Sequence, residues 1–201
     1  MNEVRTGTQA RGDRSRARLL DAAVQAFSAK GFHGTSTRDI ATAAGLSPAA
    51  VYVHHRSKEE LLHAIAMRGH EVILEALTEA VRADGTPAER VAAAVRTYVL
   101  FHARSHTTAR VINYELAALT DEHIREVAGL RRAIDTVMRE VVEEGVRSGD
   151  FDTPDPAKTA TALLSLGIDL ARWYRDGGTW TPESLADFYA DLALRAVGAR
   201  P

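Results

Sequence analysis

The chain has 201 residues, 45% of them hydrophobic and 26% charged, with a net charge of −2. That length holds one or two helical domains with a sizeable core. There is no cysteine, which excludes a disulfide framework, thiolate catalysis and cysteine-ligated zinc or iron–sulfur sites. No run approaches the roughly eighteen apolar residues that a membrane span needs. The polar N-terminus shows no signal peptide, so the expected location is the cytoplasm. The small net charge hides an asymmetry. Residues 1–58 carry nine Lys/Arg against four Asp/Glu, a net of +5, and residues 59–201 carry sixteen against twenty-three, a net of −7. A basic head on an acidic body orients a chain on a polyanion.

Residues 1–12 are polar and hold two glycines. They read as a disordered arm whose Arg5 and Arg11 can reach phosphates, or as an inert tail. A first helix is expected over residues 13–30, from Leu19, Leu20, Ala23 and Phe27 at helical spacing. Gly31 ends it. Two short helices follow, separated by Gly45. Thr37 is expected to cap the earlier one, which buries Ile40, Ala41 and Ala44. Ser47 caps the later one, with Pro48 at its first position, where no N–H is needed. This is the layout of a helix-turn-helix, whose second helix enters the DNA major groove.

A long fourth helix is predicted over residues 58–82, with Ser57 as cap and Glu60 as capping-box partner. Its stripe is Leu61, Leu62, Ile65, Val72, Ile73, Leu77 and Val81. His63 and His70, on the same helix, read as solvated. A fifth helix covers residues 88–105 and a sixth residues 107–119. Asp121 is the expected cap of a seventh, which runs to Val146. The eighth, over residues 157–175, is apolar on more than one face. The ninth covers residues 182–197. A helix apolar on several sides is buried on several sides, so helices eight and nine are expected to pair with those of a second copy about a two-fold axis.

The segment over residues 19–65 resembles the DNA-binding domain of the tetracycline-repressor (TetR) family. The pieces that carry the likeness are LLDAAVQAFSAKGF, GTST, RDIATAAGLS, VYVHH and SKEEL. They cover about a quarter of the chain. One departure is His55, where the family has an aromatic residue that plugs the base of the domain. The resemblance implies an all-α fold of about nine helices: a disordered arm (1–12), a helix-turn-helix domain with three helices (13–58) and a C-terminal helical bundle for ligand binding and dimerisation (59–201). It implies a homodimeric regulator, probed by a near-palindromic double-stranded operator and released by a small-molecule effector. It places Thr37, Arg38, Ser47, Pro48, Ala49, Ala50, Tyr52, His54 and Lys58 against DNA. The physics agrees: hydroxyls and helix N-termini bind phosphate, and small alanines permit close approach to base edges. The plainer reading makes Thr37 and Ser47 caps alone and Tyr52 a core residue.

The bundle holds more apolar surface than dimerisation needs, so a cavity is expected between helices five, seven and eight. Its candidate lining is Tyr98, Phe101, Tyr114, Leu130, Ile134, Leu170, Arg172, Trp173 and Arg175. Arg172 and Arg175 flank Trp173 and suit an anionic ligand such as the phosphates of coenzyme A. Alternatively, they pair with Asp169 or Asp176 and the helix dipole. The ending LARWYRDGG…LADFYADLALRAVG is similar to TetR-like regulators of lipid and acyl-CoA catabolism. His102 and His106 stand at i, i+4, a spacing that can share a metal, but no third ligand is evident and no metal or cofactor is expected. No catalytic motif occurs, so no enzymatic activity is expected. The alternatives to a regulator are a helical interaction module and a helical enzyme using the cavity.

Overall fold

The computed structural model describes residues 3–199, with side chains described from Ser15 onward except that of His54. Among these residues the elements are α1 (Glu3–Lys30), α2 (Thr37–Ala43), α3 (Pro48–His54), α4 (Lys58–Arg82), α5 (Pro87–Arg104), α6 (His106–Tyr114), a 3-10 turn (Leu116–Ala118), α7 (Asp121–Ser148), α8 (Pro156–Trp173) and α9 (Pro182–Ala196). Helix α1 begins at Glu3, well before residue 13, and takes in most of the stretch read as an arm. Arg5 and Arg11 lie outside the described side chains.

Local chemistry explains the helix boundaries, and corrects two caps and one capping box. Ser36, not Thr37, caps α2. Its hydroxyl accepts the Asp39 N–H at 3.1 Å, and the Asp39 carboxylate accepts the Ser36 N–H at 2.9 Å. Only the hydroxyl three residues ahead of Asp39 closes this reciprocal box. Thr120, not Asp121, caps α7 and accepts from the His123 N–H. Ser57 caps α4 as expected, but the Glu60 carboxylate reaches past it to the Arg56 N–H at 2.6 Å. Gly45 takes φ +65°, which lets the N–H groups of Gly45 and Leu46 bond back to Thr42 and Ala41. A side chain is strained in that left-handed turn, and glycine is not.

Two cores result. The head core gathers Leu19, Phe27, Ile40, Val51, Leu61, Leu62 and Ile65, and it also takes Val111, Ile112, Leu119 and Val127 from the body. The body core is centred on Leu77, Val91, Val99, Met138 and Leu170. Helix α4 belongs to both, through Leu61–Ala66 at one end and Ile73 and Leu77 at the other. Gly69 lets α6 close onto α4, since a Cβ there would meet Ile112 Cδ1 at 2.7 Å. No helix of the described residues is long and apolar enough to cross a membrane.

Candidate DNA interface and effector cavity

Helix α3 is held by one fully buried side chain, Val51, and otherwise turns outward. Ser47 caps it by accepting the Ala50 N–H at 3.2 Å, and Pro48 occupies its first position. Pro48 and Ala49 are exposed, and Ala50 is half-buried. Tyr52 is 55% exposed, against the core reading, and Val53 is 80% exposed. Ala49, Tyr52 and Val53 stand at i, i+3 and i+4, so they share one face. Val53 was not a candidate. Its signal was an apolar residue directly after the inward Val51 and outward Tyr52, where helical periodicity turns it to solvent. The His54 side chain lies outside the described residues.

Beside α3 an open groove brings together Thr37, Tyr52, Arg56, Ser57 and Lys58 with the turn around Gly34. Among the described residues no carboxylate lines it. Hydroxyls and two cations suit a phosphate chemically, while the neighbouring carboxylates of Asp39 and Glu60 are held by the Ser36 hydroxyl and the Arg56 N–H. Arg38 is exposed on the first turn of α2, apart from this groove. Arg56 was missed by the motif reading, because it falls between the two helices. Lys58 has a structural role as well. Its ammonium donates to the carbonyls of Phe32 at 2.8 Å and Thr35 at 2.9 Å, and sits 4.4 Å from the Phe32 ring centroid. The lysine therefore fastens the turn after α1 to the start of α4 and keeps one donor for a further partner.

The C-terminal body holds a cavity of about 200 Å³. Five helices wall it, α4 to α8. Tyr98, Phe101 and Ile134 line it, as expected. The other six candidates do not. Leu170 is fully buried in the core. Leu130 is half-buried one turn from Ile134 and outside the lining. Tyr114 and Arg172 line a separate cleft against α1, with Arg110. Arg172 also pairs with Asp169 through two hydrogen bonds of 2.7 and 3.1 Å. Trp173 packs edge-on to Trp180, with ring centroids 6.0 Å apart. Arg175 follows α8 and donates to the carbonyls of Arg172 and Tyr174, which fixes the helix end. Helix rotation, which composition does not set, separates these residues from the cavity.

The cavity's polar side comes from two histidines the sequence reading placed elsewhere and from three residues it did not single out. His70 is 5% exposed, which overturns its reading as solvated, and His102 is 3% exposed. Both line the cavity, with Asn113, Arg131 and Asp135. His70 Nδ1 lies 2.7 Å from the Ala66 carbonyl, and His102 Nδ1 lies 2.9 Å from that of Tyr98. A carbonyl only accepts, so each Nδ1 carries the proton and each Nε2 is an acceptor. Burial pushes the His102 imidazolium down to about 4, against the Tyr98 carbonyl, with His70 and Arg131 adding repulsion. Burial also lowers His70, again with Arg131 opposing a charge. Both rings are therefore neutral near pH 7. His106 turns away from His102, to the Ala103 carbonyl and the Tyr174 ring. No group of three or more metal-ligating side chains converges among the described residues.

Comparison with known proteins decides the family. Residues 19–65 match the pattern of bacterial regulatory proteins of the tetR family, and residues 84–197 match the tetracyclin repressor-like C-terminal domain. The chain belongs to the tetR family. Among its relatives, the HTH-type transcriptional repressor KstR2 of Rhodococcus jostii RHA1 is 30% identical over 92% of this chain and 91% of its own length. The fatty acid metabolism regulator protein of Bacillus subtilis 168 is 23% identical over 89% and 93%. Among solved structures, a tetR-family regulatory protein from Rhodococcus RHA1 is 40% identical, with a TM-score of 0.88 over 93% of this chain and 98% of that one. AibR, solved with isovaleryl coenzyme A and operator DNA, shares the fold with a TM-score of 0.81 at 24% identity, over 92% of this chain and 100% of its own. This tetR-family protein is accordingly a DNA-binding transcriptional regulator with an all-α helix-turn-helix head and a helical C-terminal body.

Proposed function

We propose that this tetR-family regulator is a cytoplasmic homodimeric repressor that covers a near-palindromic operator and is released by a small acyl-CoA or related lipid-like molecule. The observation that carries the reading is α4, one uninterrupted helix that enters both the head core and the wall of the cavity. A ligand that prefers one tilt of that helix weakens DNA binding by its preference between the two tilts, and by no more.

The head contacts DNA through Thr37, Arg38, Ser47, Pro48, Ala49, Ala50, Tyr52, His54 and Lys58, joined by Val53 and Arg56. The exposed Leu166 and Trp173 of α8 and Phe188 of α9 support a second copy on that side. Two heads then sit about 34–36 Å apart, one helical turn of DNA. KstR2 and the fatty acid regulator support a lipid-derived effector, and AibR supports a coenzyme A thioester. The cavity of about 200 Å³ is smaller than a drug-sized site, so it takes the acyl part alone. The chain performs no catalysis in this scheme.

The test is selection of genomic fragments by the purified protein, footprinting of the enriched site, and titration of that site with acyl-CoA thioesters. A protected near-palindrome whose occupancy falls with one thioester class supports the reading. Salt-sensitive binding without sequence preference overturns it.

A further inference from the structure

The buried polar groups of the cavity do not suit a plain alkyl chain. His70 and His102 each present one nitrogen acceptor, because their protons are fixed on backbone carbonyls. A neutral imidazole acceptor facing a bound ligand in place of water needs an O–H or N–H donor from that ligand. Arg131 stands on the same wall. Among the described residues it forms no ion pair, and its one hydrogen bond is a long 3.5 Å contact to Asn113 Oδ1. The one carboxylate there among the described residues, Asp135, accepts from the Thr161 hydroxyl at 2.9 Å. The opposite side is apolar, with Ile73, Phe101, Ile134 and Leu164.

We infer that the occupant is a short hydroxyacyl group, its hydroxyl donating to the imidazole acceptors of His70 and His102 and its carboxyl or thioester oxygen accepting from Arg131. The assignment rests on the proposed effector role of this cavity and narrows it. A volume of about 200 Å³ admits a short acyl group and not a whole coenzyme A, and a six-carbon acyl chain serves as the probe. A hydrocarbon chain without the hydroxyl strands the two acceptors and loses by the cost of unpaired buried polar groups. The same oxygenated acyl chemistry exists as a free acid and as a coenzyme A thioester. The free acid gives Arg131 a full negative charge, and the thioester gives it a carbonyl.

Calorimetric titration of the full chain with four probes tests this: hexanoate, 3-hydroxyhexanoate and the coenzyme A thioester of each. The expected result is at least tenfold tighter binding of the hydroxylated member of a pair, in the thioester pair, the acid pair or both. The pair that responds identifies the source. His70→Leu and His102→Leu are expected to remove that preference while hexanoyl binding persists. Circular dichroism checks that each variant is folded, and His102→Gln, which keeps a side-chain acceptor, restores part of the preference if His102→Leu fails to fold. Affinity of the hydroxylated probe is expected to stay flat from pH 8 to pH 7, where both rings are neutral. Equal binding within both pairs overturns the assignment, as does binding of none of the probes or a preference that survives both histidine variants. Selective binding that leaves operator affinity unchanged upholds the assignment and overturns the release mechanism instead.

Discussion

One oxygen of Glu59 holds two groups from more than sixty residues further along the chain: His123 Nδ1 at 2.7 Å and the Thr120 N–H at 2.9 Å. Glu59 lies in the first turn of α4, and Thr120 caps α7. The His63 ring stacks on His123 at 3.7 Å, nearly parallel, and His63 Nε2 stands 2.8 Å from Glu126. A carboxylate and a pair of imidazoles therefore tie the base of the head to the body.

Burial raises the Glu59 carboxyl, but the Thr120 N–H, the His123 hydrogen bond and the nearby imidazoles lower it further, and the net shift is downward. A depressed folded value gives stability that is complete above the unfolded value of 4.5 and is lost as pH falls through the lower folded one. Glu59→Ala is expected to cost about 1.5–3 kcal/mol at pH 7, the range for hydrogen bonds to a charged group. Urea unfolding checks it. The gap from the parent should shrink once the pH is below the folded value of Glu59.

His102 predicts a second pH dependence of distinct range. Its folded value of about 4 lies below the unfolded 6.5, so the unfolded chain takes up a proton first. Stability is then full above pH 6.5 and falls as pH drops toward 4, with about 2 kcal/mol gone by pH 5. Urea melts at pH 7 and pH 5 measure this. His102→Leu should remove that part of the loss, while the contribution of His70, which acts in the same direction, remains.

Gly167 of α8 packs directly on the Tyr98 ring, where a Cβ would lie 2.5 and 2.8 Å from two ring carbons. In an open helix, alanine for glycine gains about 1 kcal/mol of propensity. Here the ring must move, and overpacking costs about 1–3 kcal/mol. The clash should outweigh the gain, so Gly167→Ala is expected to lower the unfolding midpoint. It should also weaken effector binding, because Tyr98 lines the cavity.

Lys58 and Tyr52 separate scaffold from contact. Lys58→Met removes two charge-assisted bonds to the turn after α1, worth about 1.5–3 kcal/mol each. It should lower both unfolding midpoint and operator affinity. Tyr52 is exposed, so Tyr52→Ala should change stability by less than about 0.5 kcal/mol. Its operator affinity should fall about tenfold in a footprinting titration, equivalent to about 1.4 kcal/mol.

The sequence was most informative where period and punctuation agree. Most of the apolar stripe of α4, the Ser47–Pro48 start of α3 and the Gly45 turn were visible in it; Val72, read into that stripe, is 47% exposed. Caps slipped by one residue where two capping residues adjoin, as at Ser36–Thr37 and Thr120–Asp121, because only the partner three residues on chooses between them. The cavity was half legible. Tyr98, Phe101 and Ile134 could be placed because aromatic and aliphatic residues on inward stripes meet in a bundle. His70 occupied the same stripe, between Ala66 and Ile73, and register alone could have found it. Its polarity argued for solvent, and the Ala66 carbonyl that satisfies its Nδ1 within the helix removes that argument. Arg172 and Arg175 were drawn toward a ligand by composition, whereas Asp169 and the helix-end carbonyls hold them.

Val111, Ile112, Leu119 and Val127 complete the head core although they are supplied by the body. Modules that recombine freely carry their own interiors, and this head does not. Grafting residues 19–65 onto the body of a distant relative should yield a chimera with holes or clashes at those four positions. Reprogramming this regulator to a new effector therefore calls for exchanging that patch with the head, so that operator choice and effector choice are inherited together through shared packing.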